Sequence, residues 1–185
     1  MERSLKGTVI LDLVKIIRAL KDLPWDEYLQ PEDWEIINSM ALPTAWYPIE
    51  SYMRMGLAVF KLAAGGSEEA VRQFGRQAMQ GLFNGPYRPF LDKGDPHQAV
   101  GKFIELRRSL FNFSRMEAEK VSENSLRMTI SELGDLKEGV EVFALLAQVH
   151  LEEIAAMNGA REVRSASRVD FKEDGPVLTF DLEWS

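Results

Sequence analysis

Between Leu136 and Asn158 apolar residues recur at three- and four-residue spacing. Phe143, Leu146, His150, Ile154 and Met157 share one helical face, and Glu141, Gln148, Glu152 and Glu153 fall elsewhere. The spacing predicts a long helix with its apolar face on a core, stopped at Asn158-Gly159, where glycine takes a left-handed conformation without a Cβ clash. The period then changes to two. Val163, Ser165, Ser167, Val169 and Phe171 alternate with Arg164, Ala166, Arg168 and Asp170, and Leu178, Phe180, Leu182 and Trp184 alternate with Thr179, Asp181 and Glu183. Two half-buried strands follow, joined across Glu173-Asp174-Gly175-Pro176 as a hairpin with a three- to five-residue loop, Pro176 limiting pairing to one side.

Upstream, Val9, Leu13, Ile16, Ile17 and Leu20 mark an amphipathic helix from Thr8 to Leu20. Pro24 and Pro31 open two short helical turns, and Pro48 opens a longer helix that stops at Gly65-Gly66. Ser67 is an N-cap for a helix from Glu68 to Phe83, with Glu68 and Glu69 in its first turn. That helix contains Gly75, which costs about 1 kcal/mol relative to alanine and so implies close approach by another helix or by a ligand. A Gly-, Pro- and Asn-rich loop from Asn84 to Gly94 precedes Asp95-Pro96, an N-cap and first-turn pair for a helix carrying Val100, Phe103, Ile104, Leu106 and Leu110. Two strands, Phe113 to Val121 and Leu126 to Ser131, pair around Glu123-Asn124. The order predicts an α+β fold: a helical layer packed on an antiparallel sheet of about four strands made of two hairpins, in one domain spanning residues 1–185.

The chain is 45% hydrophobic and 28% charged, an ordinary globular balance, and no apolar run reaches the ~20 residues of a membrane span. Met1 to Gly7 does not read as a secretory signal, so a cytoplasmic location is the expectation. The absence of cysteine excludes disulfides, thiolate zinc sites, iron–sulfur clusters and thiol catalysis. A net charge of −7 argues against nucleic acid as a partner, and the basic group Lys102, Arg107, Arg108 and Arg115 reads as a solvated helix flank.

Few residues carry chemistry. His97 stands in a first helical turn beside Pro96, and a surface role is expected of it. His150 lies on the apolar face of the long helix, where an imidazole is either a core group satisfied by one hydrogen bond or a haem ligand. No second element of a haem site accompanies it, so no cofactor and no metal are expected. Glu152-Glu153, Glu68-Glu69 and Asp26-Glu27 are neighbours that diverge on a helix rather than converge for acid–base work. With no nucleophile–base pair in sight, an enzyme is not expected. Trp46, Tyr47 and Tyr52, with Phe60 and Phe74 on later helices, suit either an apolar pocket or simple core packing.

Trp46-Tyr47-Pro48 before a helix, Phe74-Gly75-Arg76 within the next, Asp95-Pro96, and the closing pattern Asn158-Gly159-Ala160, strand, Asp174-Gly175-Pro176, strand, Trp184 together give the chain a family likeness. It resembles the superfamily that joins 4-vinyl-reductase-type ligand-binding domains, haem nitric-oxide-binding domains and TRAPP core subunits, nearest to a group of bacterial paralogues of similar length. The resemblance implies helices on an antiparallel sheet, with an apolar pocket between them in the ligand-binding branches. The Tyr-x-Ser-x-Arg haem-carboxylate signature of the nitric-oxide sensors is missing; Arg164-Ser165-Ala166-Ser167-Arg168 has a Ser-x-Arg without the tyrosine. Two roles follow from the likeness. One is a non-catalytic small-molecule-binding or sensory domain of bacterial signalling type, taking a small apolar or amphipathic ligand at Trp46, Tyr47, Phe74, Arg76 and His150. The other is a homodimeric interaction or scaffolding module resembling the TRAPP subunits.

Overall fold

The computed structural model describes residues 3–84, 88 and 94–185. The chain runs through strand β1 (Ser4–Lys6), helix α1 (Gly7–Ala19), a 3-10 turn (Trp25–Glu27), α2 (Pro31–Asn38) and strand β2 (Trp46–Pro48). Helix α3 (Ile49–Ala58) continues into a π-helical turn (Val59–Ala63), followed by α4 (Glu68–Asn84) and α5 (Pro96–Leu110). Then come the hairpin β3 (Arg115–Ser122) and β4 (Ser125–Ser131), helix α6 (Val140–Met157), and the hairpin β5 (Arg164–Lys172) and β6 (Gly175–Glu183). The hairpins join through β4 and β6 into one antiparallel sheet of order β3-β4-β6-β5. This is the α+β arrangement that the change of period predicts.

Register gathers the apolar residues on one face of the sheet. Met116 stands opposite Ile130, Leu126 opposite Leu182, Met128 opposite Phe180 and Ile130 opposite Leu178. A slip of one residue would turn each of them to solvent. Met128, Ile130, Leu178, Phe180 and Leu182 are fully enclosed, a burial that contributes about 1.5–3 kcal/mol for each large side chain. On the edge strand β5 the same row continues as Ser165 and Ser167. Ser167 Oγ donates to Gln148 Oε1 at 2.7 Å, and Gln148 Nε2 donates to Ser165 Oγ at 2.6 Å.

Gln148 therefore corrects its expected place off the core. Helix α6 lies between the sheet and α4, so more than one of its faces is covered, and the buried amide stays because both of its ends are bonded. The helix starts at Val140 rather than Leu136, since Gly139 before it takes a positive φ of 75°. The β5–β6 turn is tighter than expected. Lys172 pairs with Gly175, which leaves only Glu173-Asp174 in the loop and brings Pro176 into β6 opposite Phe171. That pair lies beyond the last β4–β6 pair, so Pro176 needs no partner on the β4 side and Phe171 is 56% exposed. The strands β1 and β2, three residues each, are too short to show alternation and were not foreseen; they pair antiparallel and bury Leu5. The helix starts at Ser67 and Asp95 match their reading: Ser67 Oγ accepts from the Ala70 N–H, and Asp95 Oδ1 from the Gln98 N–H. Most of the expected loop after Asn84 lies outside the described residues.

At Gly75 the close neighbour is a helix. A Cβ there would stand 2.8 Å from Val149 Cγ1 and 3.1 Å from Leu146 Cδ1 of α6, and the β-branched Val149 has little rotameric freedom to withdraw. Gly81, on the same helix, has open space around it. Gly75→Ala should lower stability by about 1–2 kcal/mol, overpacking outweighing the gain in helix propensity. Gly81→Ala should raise it by about 0.5–1 kcal/mol. Urea unfolding of the two variants checks the opposite signs.

Candidate functional site

Helices α4, α5 and α6 and the inner face of β3 and β4 line a largely apolar, partly open cavity of about 140 Å³, bordered on its remaining side by α1 and α3. A second apolar space of about 190 Å³ lies beside it, against α3 and its π turn. The two share Leu13, Tyr52, Phe74, Phe143 and Leu146 as walls. On the other side a polar recess of about 470 Å³, between the end of α5 and the start of β3, shares Arg107, Phe111 and Met116 with the central cavity.

Two polar side chains on the cavity wall lack the partners that burial normally demands. His150, on α6, keeps some accessible surface, but its Nε2 is shielded from solvent and has no hydrogen-bond partner among the described residues. Burial pushes this imidazole down to about 4, so the ring is neutral at physiological pH and holds a free lone pair on one nitrogen. Arg107, on α5, is only 6% exposed. Its Nη1 donates to Ser114 Oγ at 2.7 Å and its guanidinium lies 4.0 Å from the ring centre of Phe111, yet Nη2 is buried with no acceptor among the described residues. Burial lowers the Arg107 pKa to about 10, against the raising influence of Tyr52. Tyr52, which packs edge-on to Phe143, is raised to about 12 by its own burial. A neutral imidazole and a cationic guanidinium thus stand on the wall of one apolar chamber, chemistry suited to a ligand with both an apolar body and an electron-accepting or anionic part.

Of the five residues singled out in the sequence, Phe74 and His150 meet at this cavity. The other three stand elsewhere. Trp46 is 46% exposed in β2, with Lys6 Nζ 4.1 Å from its ring centre. Tyr47, beside it, accepts the Leu42 N–H on its hydroxyl at 2.8 Å. Arg76 points along the outside of α4 toward Glu69 and Glu153, at 3.5 and 3.8 Å. His97 packs at a tilt against Trp184, with ring centres 4.9 Å apart, and its Nε2 lies 3.0 Å from the Glu123 carbonyl.

Arg107 is the cavity-lining residue that the sequence hides, and its placement in a solvated flank is corrected. The signal was present: Val100, Ile104 and Arg107 are spaced by four and three, which puts the arginine on the buried stripe of α5 while Arg108 falls off it. Among the described residues no His, Cys, Asp and Glu side chains cluster in threes as a metal site, and no helix is long and apolar enough to cross a membrane.

No protein-family profile and no curated protein matches the sequence. Solved structures do. A variant of the T. tengcongensis H-NOX aligns over 98% of this chain and 98% of its own at a TM-score of 0.65 and 14% identity. An oxygen-binding H-NOX domain related to soluble guanylate cyclases, solved as its oxygen complex, aligns over 98% and 95% at 0.63 and 14%. An Fe(II) unliganded H-NOX variant from K. algicida aligns over 98% and 97% at 0.64 and 12%. This chain therefore has the H-NOX fold along nearly its whole length, the haem branch of the likeness drawn from sequence. The expectation of a chain without cofactor is overturned: the solved proteins that share this fold are described through their heme and its Fe(II) state. His150 and Arg107, on different helices, both line the central cavity.

Proposed function

We propose that this chain is a non-catalytic sensory domain of signalling type that holds haem in its central cavity and responds to a small ligand of the haem iron. The observation that carries the reading is the Nε2 of His150: a neutral imidazole nitrogen, buried without a partner, on the wall of a largely apolar chamber. An orphaned buried nitrogen costs about 1–3 kcal/mol, and a bond to a metal would satisfy it. The donor set fits the group. His150 would hold the iron, Arg107 would face a propionate, and Phe74, Phe143, Leu146 and Met128 would pack on the macrocycle. Accommodating a tetrapyrrole would require the central cavity to merge with its neighbour across the walls they share, Phe74 and Phe143 among them. When bound, haem supplies a metal site for a diatomic ligand, and oxygen is the ligand of one of the solved proteins with this fold. The fold and its neighbours support sensing rather than turnover.

Titration of the purified chain with hemin should give a Soret band that saturates at one equivalent. His150→Gly should shift and weaken that band, and added imidazole should restore it by occupying the vacated place. Absence of stoichiometric binding, or a spectrum indifferent to His150, would sink the reading.

A further inference from the structure

We propose that Arg107 is a recognition group for a carboxylate, so that the central cavity takes amphipathic carboxylates, with the acidic end at the junction with the recess between α5 and β3. Haem is one such molecule, so the inference deepens the sensory reading, but it does not need the iron. The argument begins with what a guanidinium requires. It has five N–H donors and cannot shed its charge at physiological pH, so burial is tolerated only against an anion or a full set of acceptors. Arg107 has neither. One hydroxyl, Ser114 Oγ, and the face of Phe111 are its partners, Nη2 has none, and no carboxylate pairs with it among the described residues.

Its position says what is missing. Arg107 belongs to the walls of both the apolar cavity and the polar recess, so its head marks the boundary between them. On the inner side the neighbours are Phe103, Met116, Met128 and Ile130; on the outer side they include Asn112, Arg115 and Glu132. A ligand with an apolar body and a terminal carboxylate would lay the body against the first set and present two oxygens to the guanidinium, the geometry in which arginine binds best. A neutral apolar ligand would leave Nη2 as it stands. Burial of the cation, which already lowers its pKa to about 10, would be relieved by the arriving anion.

The test uses the full chain and two pairs of fluorescent probes: cis-parinaric acid against its methyl ester, and metal-free protoporphyrin IX against its dimethyl ester. Each ester keeps the body and removes the charge. The wild type should bind at least one acid about 10- to 100-fold more tightly than its ester, the range that a charge-assisted hydrogen bond supplies. Arg107→Met should abolish that preference while keeping ester affinity, and Arg107→Lys should retain part of it. A purely structural arginine would instead lower the melting temperature when replaced by methionine; relief of an unpaired buried charge should hold or raise it. Equal affinity for acid and ester, no binding of either pair, or a preference that survives Arg107→Met would overturn the proposal. An intact acid preference without hemin binding would remove the haem reading alone, and a His150-dependent Soret band without acid preference would remove this one alone.

Discussion

Asp33→Ala should cost this protein about 3–5 kcal/mol, a large loss for a single side chain. Asp33 is 0% exposed, and both of its carboxylate oxygens are taken. Oδ2 accepts from Arg54 Nε at 2.7 Å and from the Gln30 N–H at 2.9 Å, and Oδ1 accepts from Arg54 Nη2 at 2.7 Å. The pair ties the first turn of α2 to α3, and Glu32 assists from the surface, 3.0 Å from Nη2. The attraction between the buried carboxylate and the partly buried guanidinium roughly offsets their desolvation, so the net worth of the intact pair is small; removing Asp33 leaves the half-shielded guanidinium without its main partner. Glu32 and Ser51 remain near Arg54, which places the expected loss toward the lower end of the range. Asp33→Asn should lose roughly half as much, since an amide keeps the shape and one acceptor. A double variant, Asp33→Leu with Arg54→Met, should recover most of the loss. Urea midpoints at constant m-value, set out as a double-mutant cycle, check all three. Additive losses would mean that the two charges are not coupled.

The sequence announces its layers more clearly than its cavity, for a physical reason. Alternation along Leu126, Met128 and Ile130 and along Leu178, Phe180 and Leu182 is a local property, and it returns in the sheet as facing pairs. The caps at Ser67 and Asp95 are local as well. A cavity is where distant segments fail to touch, and no window of sequence holds that information. Phe74 and His150 could be picked out because each breaks or completes a helical stripe; Trp46 and Tyr47 could not be excluded, because aromatic content looks the same on a surface strand as in a pocket wall. Arg107 was hidden by its neighbours. Read with Arg108 and Arg115 it is one of a cluster of charges, and only the spacing from Val100 and Ile104 separates it from them. Gln148 was misplaced for a related cause: a helix covered on two sides has no polar face to which the one-stripe rule could assign it.

Below neutral pH the ligand-free protein should lose stability through His150 in particular, and His150→Leu should remove that loss. The imidazole falls from 6.5 to about 4 on burial. Between these two values the unfolded chain takes up a proton that the folded chain refuses, so unfolding gains protons and stability drops as the pH falls. The contribution is intact above 6.5, declines through the window, and is fully lost once the pH passes below the folded value. Its size is roughly 3 kcal/mol, because each pH unit crossed inside the window removes about 1.4 kcal/mol. Leucine of similar bulk has no proton to gain and no nitrogen to leave unpaired, so the variant should equal or exceed the wild type at pH 7 and lead it by about 3 kcal/mol more at pH 4. Carboxylates elsewhere, Asp135 held low by Arg3 among them, titrate alike in both proteins, and the difference between the two stability curves isolates the imidazole. Parallel curves from pH 7 to pH 4 would mean that His150 protonates freely in the folded state. The neutral lone pair on which the proposed iron site depends would then be open to protonation in mild acid, and haem affinity, measured over the same range, would have to fall with it.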